Sequence, residues 1–179
     1  MAVIRMAPRM QGAYRTFTSE QLRVRFDHPA GWRVREIHVP GGRLAGEIQI
    51  FGPRREDLKY SVYIDVAAYK TPAADGASPS LSTVVQTELQ ARQQQSSYRV
   101  IEQRDARCAG AAAKQVLAGY DLVLPLESVR ARPVAFQELT AYYLRNGQLF
   151  RLSYAAPGED FERHRHAFER LVKSFKFLS

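Results

Sequence analysis

The chain has 179 residues, of which 45% are hydrophobic and 25% charged; that length is enough to bury one good core and short for two. No run of about 18 apolar residues occurs, which excludes a membrane-spanning helix, and a single cysteine, Cys108, excludes an internal disulfide or a cysteine-built structural zinc site. The formal charge of +8 rests on arginine, which outnumbers lysine 21 to 5.

Residues 1–15 read as an irregular N-terminal segment and residues 16–179 as one domain. Met1 to Met10 carries Arg5 and Arg9 but neither the continuous apolar stretch nor the small-residue cleavage pattern of an export leader. The expectation is a cytoplasmic protein as written, exported or lumenal if a leader has been removed.

A first alternating strand, Leu22 to Phe26, runs into Pro29 and Gly31, which stop sheet pairing and turn the backbone; Trp32 is a large apolar anchor just past the bend. Residues 1–55 hold ten arginines against four acids. Arg23 and Arg25 fall on one face of their strand and Arg33 and Arg35 on one face of the next, placing a basic stripe on a sheet or sheet edge. Such a stripe suits an acidic protein, a lipid headgroup or a nucleic acid, and its plainer reading is a solvated strand face that blunts an edge against aggregation. Nucleic-acid binding wants aromatics interleaved with the cations and a reading motif. Neither is found; a sheet with a basic N-terminal region and no catalytic motif leads instead to the expectation of a protein partner or complex, with Arg23, Arg25, Arg33 and Arg35 as candidate partner-binding residues.

Pro40-Gly41-Gly42 reads as a turn between strands, and Glu47 to Phe51 alternates weakly. Leu58, Tyr60, Val62, Ile64, Val66 and Ala68 line one face of a long strand whose other face carries Lys59, Ser61 and Asp65, the pattern of a half-buried antiparallel strand. Residues 71–80 form a loop through Pro72, Gly76 and Pro79. Ser80 or Ser82 then caps a helix with Leu81, Val84, Val85 and Leu89 as a narrow apolar stripe, fading into the polar run Gln93 to Ser97. Tyr98 to Arg107 is a strand. In the next, Val116, Ala118, Tyr120, Leu122 and Leu124 alternate with polar or small residues until Pro125. After a basic loop, residues 130–133, strands 134–144 and 148–154 flank Asn146-Gly147, a pair whose tolerance of positive φ marks a two-residue hairpin. Pro157-Gly158 ends the second strand, and a helix from Glu159 to Ser174 sets Phe161, Phe168, Leu171, Val172 and Phe175 along one side, so it must lie on the sheet.

Motifs for chemistry are sparse. His164 and His166 point about 200° apart on a helix and cannot clamp one metal ion, His164 leaning toward the apolar side. Glu159 with Arg163, Glu162 with His166 and Glu169 with Lys173 are spaced for helix-surface pairing. His28 and His38 lack companion ligands. Cys108 sits in a strand end and turn, Asp105 to Gly110, with no histidine near it in sequence, and reads as a small hydrophobe. Asp121 and Glu138 could approach across neighbouring strands as an acid/base pair, yet both occupy alternating positions that face solvent. The sequence has no nucleophile elbow, dinucleotide fingerprint, phosphate loop or His-Glu-x-x-His helix. The expectation is a protein that is not an enzyme and uses no cofactor and no metal.

The strand leading into Pro29-Ala30-Gly31-Trp32, the helix after the proline-rich loop, the Asn146-Gly147 hairpin running into Leu152-Ser153-Tyr154, and the last helix ending in Ser174-Phe175-Lys176-Phe177 together resemble the PsbP-like proteins. These share a fold with the Ran-binding Mog proteins and the DcrB-like bacterial proteins. The resemblance spans roughly residues 16–178 and implies an α+β fold, an α/β/α sandwich around a central antiparallel sheet of about six strands, with no catalytic centre. No metal-linked or photosystem-linked residue of the family transfers to this chain. The resulting expectation is an accessory protein that docks on a larger complex through a basic surface. A chaperone-like binder of apolar segments, as in DcrB-like proteins, and a small-molecule site between helix and sheet are the alternatives.

Overall fold

The computed structural model describes residues 13–38, 42–71, 79–94, 97–126 and 129–178. The strands are β1 (Tyr14–Ser19), β2 (Val24–Pro29), β3 (Arg33–Ile37), β4 (Leu44–Arg55), β5 (Tyr60–Lys70), β6 (Arg99–Cys108), β7 (Ala111–Leu124), β8 (Arg132–Arg145), β9 (Gln148–Pro157) and β10 (Lys176–Phe177). Helix α1 (Leu81–Gln93) lies between β5 and β6, and α2 (Gly158–Ser174) between β9 and β10. Seven strands form one antiparallel sheet in the order β3-β4-β5-β9-β8-β7-β6, and three form a small sheet in the order β1-β2-β10.

The expected α+β sandwich with a helix on each side of an antiparallel sheet is the observed one, with a larger strand count. About six strands were expected; the main sheet has seven, with β3 and β6 at its two edges. The first strand leaves that sheet altogether: β2 pairs with β1 from Tyr14↔Pro29 to Ser19↔Val24 and with β10 through Lys176↔Arg25. β1 begins at Tyr14, inside the segment read as irregular. The Pro40-Gly41 part of the expected turn and most of the 71–80 loop lie outside the described residues.

Two tight turns fix the register of the right-hand half of the sheet. Asn146 and Gly147 adopt φ of 49° and 70° and join β8 to β9, as the sequence predicts. Ala109 and Gly110, at 51° and 77°, join β6 to β7 in the same way, so β7 starts at Ala111 and not near Val116. The sequence marks a strand end and turn over residues 105–110, and because alanine rarely takes this conformation it does not mark the turn as a two-residue hairpin.

Period-two alternation gives the main sheet two dressed faces. Ile48, Ile50, Val62, Ile64, Val66, Tyr143, Phe150, Leu152 and Tyr154 pack under α2, which contributes Phe161, Phe168 and Leu171, while Val24 and Phe26 of the small sheet join the same cluster. Phe175, just beyond α2, stacks on Phe26 at 6.1 Å and meets Tyr143 edge-on at 5.5 Å, so the two ends of the described chain are tied into one core. On the opposite face Val84, Val85 and Leu89 of α1 cover Val116, Ala118, Tyr142 and Leu149. Ser80 caps α1, its hydroxyl accepting from the Thr83 amide at 3.1 Å. Trp32 follows the Pro29 bend and lies over Gly52, where a Cβ would sit 2.7 Å from the indole, and His164 meets the ring edge at 6.1 Å. Only glycine lets the backbone of β4 run this close beneath the indole.

Candidate functional site

The face that carries α1 is unusually polar for a sheet interior. Burial of a carboxylate is tolerated only when a cation and hydrogen-bond donors surround it, and two such arrangements occur here. Glu138 of β8 is ion-paired with Arg92 of α1, the second nitrogen of the fork donating at 2.9 Å, and it also accepts from the Thr140 hydroxyl at 2.9 Å. The Arg92 guanidinium lies over the Tyr98 ring at 4.5 Å. Asp65 of β5 accepts from Arg151 of β9 at 3.2 Å and from the Ser153 hydroxyl at 2.9 Å, and Arg151 reaches Glu88 of α1 at 3.6 Å. Burial pushes the Asp65 carboxyl above the usual carboxylate range, with Arg151 and Ser153 pulling the other way.

The acid pair considered from sequence does not exist. Glu138 stands opposite Ala118 in the β7 ladder and Asp121 opposite Ala135, an odd offset that sends the two carboxylates to opposite faces of the sheet. Glu138 is also buried, at 6% exposure, and not solvated as its alternating position suggested, because α1 lies over that position and supplies Arg92. Cys108 is buried at the end of β6, its thiol donating to the Val172 carbonyl at 3.5 Å, and burial pushes that thiol up to about 11. On α2, Arg165 pairs with Glu162 and Glu169, and Arg163 with Asp160, in place of the expected four-apart pairs. Among the described residues no group of three or more His, Cys, Asp or Glu side chains could hold a metal ion.

Among the described residues no helix covers the β3–β4–β5 part of the same face. Register carries Arg33 of β3 opposite Phe51 of β4, and Phe51 opposite Tyr63 of β5; Arg35 stands opposite Gln49. The Arg33 guanidinium lies 5.1 Å from the Phe51 centroid, and Phe51 meets Tyr63 at 5.5 Å. Glu47 accepts from Gln49 at 2.9 Å and from the Tyr63 hydroxyl at 3.0 Å. Burial, then the nearby Asp65 and Glu47 carboxylates, raise the Tyr63 hydroxyl well above its ordinary value, so it remains a neutral donor. Phe51 and Tyr63 are half-buried, whereas Arg33 and Arg35 are exposed.

The four arginines singled out from sequence therefore do not form one stripe. Arg33 and Arg35 share a face of the edge strand β3, as alternation requires. Arg25 projects from β2 in the small sheet, and Arg23 lies in the turn before it with φ of 52°, which takes it out of the strand's alternation. Phe51 was missed as the partner of Arg33, and Tyr63 as the neighbour of Phe51, because they are distant in sequence and brought together by register alone; the alternation of residues 47–51 and 60–68 was the available signal.

One antiparallel sheet with a helix on each face, flanked by a small sheet beside the C-terminal helix, is the PsbP-like fold. Among solved structures, the cyanobacterial PsbP (CyanoP) from Synechocystis sp. PCC 6803 superposes with a TM-score of 0.54 at 10% identity, covering 97% of this chain and 98% of that one. LpqN, involved in cell envelope biogenesis of Mycobacterium tuberculosis, superposes with a TM-score of 0.56 at 14% identity, covering 94% of this chain and 86% of that one. No protein-family model and no curated protein sequence matches the chain. The likeness is one of fold. No helix among the described residues is long and apolar enough to cross a membrane.

Proposed function

We propose that this is a non-catalytic accessory protein that docks on an acidic surface of a protein partner through the face of β3, β4 and β5 that no described helix covers. The observation that carries the reading is the ladder Arg33, Phe51, Tyr63 with Arg35 beside it. Arginine and aromatic side chains on a rigid sheet supply flat contact area and directional charge together, the composition in which interface hot spots are enriched. Next to it, the carboxylates beneath α1 are already engaged with arginines, which leaves that layer as support. The PsbP-like fold supports the same reading, since the Synechocystis neighbour is a PsbP protein.

Affinity capture from the native host with the wild-type chain and with an Arg33→Glu/Arg35→Glu variant tests this. At about 50 mM salt the wild type retains a partner that the variant loses, and the wild type releases it near 0.5 M salt as screening shortens the range of the charges. Equal capture by both proteins, or capture indifferent to salt, refutes the assignment of this face.

A further inference from the structure

A concave feature lies on the other side of the molecule, between α2 and the small sheet. It is a cleft of about 470 Å³ whose walls include Thr16, Arg25, Asp27, Arg170, Lys173 and Lys176. Four cations thus face a single carboxylate. That carboxylate is already committed: Asp27 accepts from Thr16 at 2.9 Å and from Arg170 at 2.7 and 3.1 Å. Among the described residues the Arg25, Lys173 and Lys176 side chains have no hydrogen-bonding or ionic partner.

The placement of these three is informative. Arg25 and Lys176 stand directly opposite each other in the β2–β10 ladder, both exposed, with no acid between them. Like charges at directly opposed positions destabilise a strand pair. Lys173 approaches from the last turn of α2, where a cation complements the helix macrodipole. That effect accounts for Lys173 and leaves the Arg25–Lys176 pair unexplained. A bound anion resolves it by turning a repulsive pair into two halves of one site.

We infer that this cleft binds a multiply charged phosphate group. One carboxylate would match one cation, whereas a phosphomonoester carries about −1.5 to −2 charge at neutral pH and three acceptor oxygens, enough to engage cations from three separate elements. Arg25 supplies a guanidinium fork suited to two phosphate oxygens, and the lysines supply point charges. Asp27 positions Arg170 at the rim. The volume lies within the roughly 300–1,000 Å³ of small-molecule sites, so it accommodates the group to which the phosphate is attached. This site shares no residue with the face of Arg33 and Arg35 and stands or falls independently of it.

Calorimetric titration with inorganic pyrophosphate and with glycerol 3-phosphate, against sodium chloride at matched ionic strength, is the direct test. Both phosphates bind and raise the melting temperature of the wild type. Lys173→Gln weakens binding about tenfold and Arg25→Ala/Lys176→Ala about a hundredfold, while Arg33→Ala leaves it unchanged. Because Arg25 and Lys176 are exposed and mutually repulsive, the double variant melts no lower than the wild type, which separates lost binding from lost folding. Sedimentation with phosphatidylcholine vesicles, with and without phosphatidic acid, distinguishes the source. Retention on phosphatidic acid that disappears in the double variant assigns a lipid headgroup; binding of the soluble phosphates alone assigns a free phosphomonoester. Stabilisation no greater than that by sodium chloride, or undiminished phosphate or vesicle binding by the double variant, overturns the inference.

Discussion

Replacing Arg151 with methionine isolates the electrostatics of the layer beneath α1, because the thioether keeps the aliphatic packing of the stem and removes the guanidinium. Asp65, 5% exposed, then keeps the Ser153 hydroxyl at 2.9 Å and loses its cation at 3.2 Å. Glu88 loses its partner and Tyr69 loses the guanidinium lying 5.3 Å from its ring centre. Breaking a buried ion pair in this way costs about 3–5 kcal/mol at neutral pH. For a chain of this length that corresponds to a fall in melting temperature of roughly 10 °C. The loss depends on pH with a defined sign. Burial already holds the folded-state carboxyl of Asp65 above its ordinary value, and Arg151 is the strongest opposing influence, so the variant carboxyl titrates higher still. For an acid whose folded pKa exceeds the unfolded one, destabilisation is full above the folded pKa and vanishes as pH falls through it. Urea unfolding followed by Trp32 emission between pH 7.5 and 4.5 therefore shows the gap between wild type and Arg151→Met narrowing toward acid. Adding Asp65→Leu to Arg151→Met restores most of the stability, a non-additivity expected of groups in contact. A loss below about 1 kcal/mol, a gap constant with pH, or additive single effects refutes the reasoning.

Gly52→Ala forces a methyl to within 2.7 Å of the Trp32 ring and destabilises by about 1–3 kcal/mol, with a change in Trp32 fluorescence; an unchanged melting temperature and spectrum rule out the close approach. Ser80→Ala removes the acceptor for the Thr83 amide and costs about 1 kcal/mol, whereas Ser82→Ala costs little, a contrast that chemical denaturation resolves. With its thiol pushed up to about 11 by burial, Cys108 stays protonated at pH 8, and its alkylation by iodoacetamide follows global unfolding; rapid labelling of the native protein contradicts the burial.

Elements whose cause is local were legible in the sequence. Asn146-Gly147 announces its hairpin because asparagine and glycine accept positive φ, and the spacing of Phe161, Phe168, Leu171 and Phe175 announces the buried side of α2. Ser80 marks the start of α1 by chemistry that acts within three residues. The Arg33 and Arg35 side chains share a face because alternation within one strand requires it. Ala109-Gly110 reads in the sequence as a strand end and turn but not as a two-residue hairpin, because alanine carries no such local preference and its left-handed conformation is imposed by the pairing of β6 with β7.

What only the tertiary structure decided are the relations between strands distant along the chain. Alternation says that Glu138 and Asp65 face away from the α2 side of the sheet, and on that evidence they read as solvated. The packing of α1 over that face, with Arg92 and Arg151 as partners, makes them a buried layer instead. In the same way Arg25 stands opposite Lys176, and Arg33 meets Phe51, which meets Tyr63, through ladder register. A sequence encodes the period and the turn chemistry of each strand through short-range sterics. Which strand becomes a neighbour, and therefore which charges are opposed and left unsatisfied, depends on burying the whole apolar surface at once, a condition that no single segment carries.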